Sequence, residues 1–265
     1  RAEGAAQLPP PPDSFEYTRE AKAAGVITQD SYLPPAACLC PEYSAARCPP
    51  ACRPYRVAIL GDSIAASCDF LLPRIIHDRL APHAVEVFAS GRVGDSAGKV
   101  MGLAPHRGSR RDLLEEYLRR GCDELVVALG VNAVADGRKA NELVSEIASM
   151  CERAMDAGVS RIVIVEIAPW GGHARWTPEK QAETLRYNRM LGGLAAMLNF
   201  DYTVRGCETE VEVARIYEAL EDRRSPGRLR YPRRTGARLD PLHPSEAGIR
   251  VMAEEMLRQA YRNIR

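Results

Sequence analysis

Short apolar runs alternate with longer segments of helical periodicity from Tyr55 almost to the end of the chain. Five short runs predict strands, at 55–60, 85–89, 124–129, 161–167 and 200–204. Between and after them, apolar residues recur at helical spacing and predict helices over 67–80, 98–119, 139–157, 178–198 and 245–261. The runs VAIL, LVVAL and IVIVEI are apolar without interruption, as is typical of strands that are covered on both faces.

This alternation predicts an α/β protein, a three-layer α/β/α sandwich around a five-stranded parallel sheet. Five strands favour the flavodoxin-like strand order 2-1-3-4-5. In sheets of this kind ligands bind outside the carboxyl ends of the strands. The residues that directly follow each apolar run are therefore the first candidates for a functional site.

Residues 1–54 differ in composition from the rest of the chain. They contain ten of the nineteen prolines, including four in a row at 9–12. A segment this rich in proline resists regular structure. We predict an extended N-terminal arm over 1–54, with one short helix over 15–24, followed by a folded domain over 55–265.

Four of the eight cysteines lie close together in this arm, at Cys38, Cys40, Cys48 and Cys52. Their spacing, C-x-C-x₇-C-x₃-C, lacks the paired C-x₂-C units that are usual at zinc sites. It favours two small disulfides, with a four-cysteine zinc site and free thiols as alternatives. Disulfides would place the protein outside the cytosol, in the periplasm or among secreted proteins.

Charge and hydropathy exclude some classes of function. The formal net charge is +1, so the chain has no excess of basic residues that would indicate a nucleic-acid partner. No run approaches the ~18 apolar residues of a membrane span, so no transmembrane segment is predicted. The histidines outside the C-terminal loop follow no metal-ligand spacing, so no metal site is predicted in the domain. The pattern carries no information on oligomeric state.

Polar residues with catalytic chemistry follow three successive predicted strands. Gly61–Ile64 (GDSI) follows the first strand, and its serine lies at a strand-to-helix turn where backbone N–H groups can stabilise an anion. Gly94 follows the second strand and Asn132 the third, and both can supply N–H donors. Asp240 precedes His243 by three residues, ahead of the last helix, which suits a carboxylate that orients a general base.

In this order the four segments resemble the SGNH (GDSL-like) hydrolase family, over roughly residues 55 to 262. The resemblance implies a serine esterase with Ser63 as nucleophile, His243 as base and Asp240 as its partner. It further implies an oxyanion hole made by the backbone N–H groups of Ser63 and Gly94 and by the Asn132 amide, and it implies no cofactor.

Two details qualify the resemblance. The third segment usually reads G-x-N-D in that family, and here Ala133 stands in place of the aspartate. Tyr187-Asn188, on the helix after the fourth strand, matches a position where family members often carry asparagine.

The substrate is less defined than the reaction. An acyl ester, acetyl on a carbohydrate, is the leading hypothesis; a lipid or thioester substrate, or a non-catalytic binding protein on the same scaffold, are the alternatives. Trp170 and Trp176 lie on a glycine-containing loop after the fourth strand and could form a wall for a sugar. Seven arginines and no acid lie between 223 and 238, and they could bind an anionic substrate; Arg230, Arg233 and Arg234 are our candidates.

Overall fold

A central six-stranded sheet organises the computed structural model, which describes residues 30–33, 54–80, 85–103 and 112–261. Five of its strands are parallel and lie in the order β3-β2-β4-β5-β6, which is the predicted order 2-1-3-4-5. The strands are β1 (Asp30–Leu33), β2 (Tyr55–Asp62), β3 (Val85–Arg92), β4 (Glu124–Ala128), β5 (Arg161–Val165) and β6 (Glu210–Ala214). A separate antiparallel hairpin contains β7 (Pro232–Thr235) and β8 (Arg238–Pro244).

The sixth strand comes from the segment that was predicted to be an extended arm. β1 pairs with β3 in antiparallel orientation, with Asp30 opposite Ser90 and Leu33 opposite Val87. The arm therefore contributes one edge strand to the sheet. The short helix predicted over 15–24 and the four clustered cysteines lie outside the described residues.

The prediction of the fifth parallel strand at 200–204 is wrong. Those residues form the last turn of a long helix, and the strand lies further on, at Glu210–Ala214. Phe200 and Val204 are exposed while Tyr202 is buried, so the apolar residues alternate here at the end of a helix and do not form a strand.

The helices cover both faces of the sheet. They are α1 (Ser67–Leu80), α2 (Ala97–Val100), α3 (Leu113–Arg119), α4 (Val131–Ala135), α5 (Ala140–Asp156), α6 (Pro178–Val204), α7 (Tyr217–Leu220) and α8 (Glu246–Ala260). Helix α1 packs against α8 in one layer, and α5 packs against α6 in the other. The single helix predicted over 98–119 is two helices, α2 and α3.

The strands form the centre of the core, as their uninterrupted apolar runs predicted. Val57 to Leu60 of β2, Leu125 to Val127 of β4 and Ile162 to Val165 of β5 are at most 1 % exposed. In the part of the chain that the structure describes, no helix is long and apolar enough to span a membrane, and no group of three or more potential metal ligands is found. The four cysteines described, Cys68, Cys122, Cys151 and Cys207, are free thiols.

Candidate active site

Ser63 lies in a tight turn at the carboxyl end of the central strand β2. The turn depends on Gly61, since a Cβ there would lie 2.3 Å from the Cβ of Ala65. Two hydrogen bonds hold it: the Ile64 N–H donates to Asp62 Oδ1 at 2.9 Å, and Ser67 Oγ donates to the Ser63 carbonyl at 2.9 Å. The serine is therefore presented at a fixed position at the edge of the sheet where parallel α/β proteins bind ligands.

Asp240 and His243 reach this serine from β8, the second strand of the hairpin. His243 Nε2 lies 2.8 Å from Ser63 Oγ, and His243 Nδ1 lies 2.7 Å from Asp240 Oδ2. The other carboxylate oxygen of Asp240 accepts the backbone N–H groups of Leu242 (3.0 Å) and His243 (3.2 Å). These bonds from the Asp240 side chain to the backbone two and three residues further on orient the segment between the acid and the imidazole.

The electrostatics of Asp240 favour its charged form. Partial burial raises the pKa of this carboxyl, but the hydrogen bond to His243 and the two backbone N–H groups outweigh burial, so the pKa lies below the ordinary value. A carboxylate opposite Nδ1 fixes the tautomer in which Nδ1 carries the proton and Nε2 accepts one from Ser63 Oγ.

Asn132, one candidate oxyanion donor, bonds to Asp62, which precedes Ser63, and to Asp95, which follows Gly94, the other candidate. The Asn132 amide nitrogen donates to the Asp95 carbonyl at 3.0 Å and to Asp62 Oδ2 at 3.3 Å. Gly94 has a φ of 79°, a left-handed conformation that glycine adopts without strain. The three loops after β2, β3 and β4 thus meet at Asn132, whose amide nitrogen donates to two protein acceptors.

Asp62 is a buried acid directly next to the candidate nucleophile, and the sequence pattern alone gave no sign of its role. It is 1 % exposed. Burial raises the pKa of Asp62 to about 7; the Ile64 N–H opposes the rise, and the charge of Asp95 adds to it. Its two oxygens connect the Ser63 turn to Asn132, so Asp62 orients both of these candidate residues.

Tyr187 and Asn188 of α6 form hydrogen bonds to the loops that follow β4 and β5. Tyr187 Oη donates to the Leu129 carbonyl at 3.3 Å, just before the loop that carries Asn132. The Asn188 side chain pairs with the backbone of Ile167, accepting its N–H and donating to its carbonyl, both at 2.9 Å. The dipeptide noted in the sequence is therefore a positioning element and not part of the reacting group.

The tryptophan loop has a different structure from the one proposed. Trp170 is 1 % exposed and its indole N–H donates to Thr184 Oγ1 at 3.0 Å, so it is a core residue and forms no substrate wall. Trp176 is half-buried and donates to Gln181 Oε1 at 3.0 Å. The loop does border the site. A Cβ built on Gly172 would lie 3.7 Å from the Cβ of Pro241, the residue that follows Asp240. A role for Trp176 in substrate binding stays a prediction.

The three candidate arginines are exposed on or beside the hairpin that carries Asp240. Arg233 is the register partner of Asp240, and Arg234 is the partner of Leu239. The guanidinium of Arg230 stacks over the ring of Tyr231, 5.0 Å from its centre. The arginine-rich segment therefore leads into the strand that carries Asp240, as the sequence order required.

Comparison with known proteins gives structural matches only; no family model and no curated protein sequence matches the chain. The chain is similar to TesA (TM-score 0.54, 18% identity), with 77% of this chain and 96% of that chain covered. It is similar to a lipase/acylhydrolase from Enterococcus faecalis (TM-score 0.54, 17% identity, 77% and 94% covered). A carbohydrate esterase of family 3 from Talaromyces cellulolyticus also matches (TM-score 0.52, 16% identity, 76% and 94% covered).

These matches define the class of fold. The chain has the α/β fold of the GDSL/SGNH hydrolases, as the resemblance in the sequence predicted. Solved structures of that class include esterases, lipases and acylhydrolases.

Proposed function

We propose that the protein is a serine hydrolase that cleaves an acyl ester through an acyl-serine intermediate. One observation carries the proposal: Ser63 Oγ, His243 and Asp240 form a continuous hydrogen-bonded chain with links of 2.8 and 2.7 Å. A serine is a weak nucleophile until an adjacent base takes its proton, and this arrangement supplies the base together with its orienting acid. The fold supports the same class, since its structural neighbours include named esterases.

In the first half of the reaction Ser63 Oγ attacks the ester carbonyl while its proton passes to His243 Nε2. Asp240 holds the imidazole and stabilises the imidazolium that forms. The carbonyl oxygen becomes an oxyanion, and in this proposal the N–H groups of Ser63 and Gly94 and the Asn132 amide bind it. The carbon–oxygen bond to the alcohol then breaks, and the alcohol leaves with the proton from Nε2.

In the second half a water molecule attacks the acyl-serine. His243 Nε2 takes a proton from this water, the same donors bind the second oxyanion, and the bond between Ser63 Oγ and the acyl carbon breaks. The acid product leaves, and Ser63 Oγ regains its proton from the imidazolium. Every proton transfer uses His243, so the sequence of steps balances without a metal or an organic cofactor.

As substrate we propose a small acyl group, acetyl, on a carbohydrate. The neighbours that favour it are an acetyl esterase and a carbohydrate esterase of family 3. A lipid acyl ester is the second candidate, because a lipase/acylhydrolase is equally similar. A secreted or periplasmic location, where such a carbohydrate ester would be met, rests on the four clustered cysteines of the arm.

A panel of aryl acetate, butyrate and long-chain esters tests the proposal on one preparation of the full chain. We expect turnover of the short esters, and loss of nearly all of it in Ser63→Ala. Ser149→Ala is the matched control, because this serine is half-buried on α5, away from β2 and β8, and its hydroxyl donates to the Ser145 carbonyl of the same helix. Full activity in Ser63→Ala would refute the assignment, and a preference for long chains would favour the lipid ester.

A reactive-serine probe separates an enzyme from a binding protein on the same scaffold. A fluorophosphonate should label the wild type at Ser63 and leave Ser63→Ala unlabelled. Labelling should also be lost in His243→Ala, because the unassisted hydroxyl is a poor nucleophile. If the wild type neither reacts with the probe nor turns over any ester of the panel, the non-catalytic alternative is correct.

A further inference from the structure

The hairpin that brings Asp240 and His243 to Ser63 also carries an excess of positive charge. Arg233, Arg234 and Arg238 are exposed, and Asp240 is the only acid between 223 and 245. Asp240 does not neutralise them, since its oxygens accept from His243 and from two backbone N–H groups. In the part of the chain that the structure describes, no carboxylate lies within ion-pair distance of Arg233 or Arg234.

The pleat of the hairpin distinguishes these arginines from one another. Residues opposite each other on antiparallel strands share a face, and successive pairs alternate between the two faces. Arg233 is opposite Asp240, whereas Arg234 is opposite Leu239. Since the Asp240 side chain points to His243 and Ser63, Arg233 lies on the face of the active site, and Arg234 lies on the other face.

The electrostatics of Cys68 agree with this placement of Arg233. Cys68 lies at the start of α1, five residues after Ser63, with its Sγ 4.0 Å from the Pro244 carbonyl. Burial raises the pKa of the Cys68 thiol, and the charge of Arg233 is the largest effect that opposes the rise. Glu246 also acts on Cys68, but it is an exposed acid that pairs with Arg250 on its own helix.

We propose that Arg233 binds an anionic group of the substrate, a carboxylate or a phosphate, next to the ester that Ser63 attacks. The guanidinium presents paired donors that match the oxygens of such a group, and this one has no carboxylate partner among the described residues. The inference rests on the proposed esterase function and adds a substrate class to it: esters whose alcohol part carries a negative charge.

The test compares the same substitution at two adjacent arginines that lie on opposite faces of the hairpin. Arg233→Gln and Arg234→Gln remove the same charge from adjacent exposed positions. The substrates are para-acetoxybenzoate, its neutral methyl ester, and para-acetoxyphenyl phosphate, each at low and at high salt. The two anions separate a carboxylate site from a phosphate site, and the methyl ester reports the basal reaction.

We expect the wild type to prefer an anionic ester and Arg233→Gln to lose about tenfold in kcat/KM for it, mostly through KM, the usual effect of one charge-assisted hydrogen bond. Arg233→Lys should recover part of the loss. In Arg233→Gln the loss should be larger for the anionic esters than for the methyl ester, and Arg234→Gln should show no such difference between the substrates. The loss should shrink at high salt, which screens the exposed charge.

Two results would overturn the inference while leaving the esterase proposal standing. One is hydrolysis of the methyl ester with no preference for either anion in the wild type. The other is an equal loss in Arg233→Gln and Arg234→Gln, which would mean general steering by the hairpin charge. If the wild type hydrolyses none of the three esters, the inference fails. If it also turns over no ester of the aryl ester panel, the esterase proposal fails with it.

Discussion

Glu124 is a carboxyl group buried at the end of the sheet opposite to Ser63, and its replacement by glutamine should change how stability depends on pH. It begins β4, is 0% exposed, and accepts hydrogen bonds from Tyr55 Oη (3.2 Å) and Tyr261 Oη. Burial raises the pKa of Glu124 from 4.5 to about 7, against the opposing effects of Tyr261 and Arg161.

The sign of the effect follows from proton binding. Between pH 4.5 and 7 the folded protein holds a proton on Glu124 that the unfolded chain has released, so stability falls as the pH rises through this range. The contribution is fully present below the unfolded value and is lost above about 7. This difference between the pKa of Glu124 in the unfolded and in the folded protein changes the free energy of unfolding by about 3 kcal/mol.

The assay is thermal unfolding of the wild type and Glu124→Gln from pH 4 to pH 8. The fall in Tm across this range should be smaller in the variant by about 6–12 °C, since ~1 kcal/mol shifts the Tm of a domain of this size by about 2–4 °C. Some pH dependence of the Tm should persist in the variant, because burial also raises the pKa of Asp62, which lowers stability in the same direction as the pH rises. Glu210→Gln, at an exposed position at the corresponding end of β6, should follow the wild type.

Parallel curves for the wild type and Glu124→Gln would refute the reasoning. Ester hydrolysis at a single pH should not change, because Val57, the register partner of Glu124, is six residues before Ser63 along β2, or about 20 Å at ~3.3 Å per residue. A loss of activity in the folded variant would show that the two ends of the sheet are coupled.

Three further outcomes are expected from the site. His243→Ala should reduce kcat as much as Ser63→Ala does, and the double variant should lose little more, because the pair acts as a unit; additive losses in steady-state assays would contradict this. Asn132→Ala should lower kcat by about 10²–10³ with the acyl-serine still trappable. Asn188→Ala should lower both the Tm and kcat, since two buried backbone groups of Ile167 lose their partner. Asn199→Ala, which removes the same kind of pairing from Val211 on β6, should lower the Tm alone.

The sequence predicted the architecture because burial of the central strands leaves a strong pattern. β2, β4 and β5 are covered on both faces, so their runs are continuously apolar and were located within two residues at each end. The edge strands carry no such pattern. β6 reads EVEVA, with exposed glutamate at its start, and β1 reads DSYL, whose pairing with β3 is a long-range choice that no local signal encodes.

The identity of the candidate site residues was accessible for a topological reason. Loops after successive parallel strands meet at one edge, so the sequence order alone predicts that Ser63 and Asn132 lie near each other. Side-chain direction was not accessible in the same way. Trp170 follows a strand at the correct end of the sheet, but it turns inward to Thr184, and only the packing of α6 shows this. Likewise, the separation of Arg233 from Arg234 needed the register of the hairpin.

Ala133 shows that the backbone spacing of a motif carries more of its geometry than each of its side chains. The similar family has an aspartate at this position, yet Ala133 is 3 % exposed and the loop remains oriented. Tyr187 Oη holds the Leu129 carbonyl on one side of the loop, and the Asn132 amide binds Asp62 and Asp95 on the other. A buried alanine leaves no polar group that needs a partner, so the loop forms without the missing carboxylate. The departure from the family pattern is therefore compatible with an Asn132 that faces the turn of Ser63.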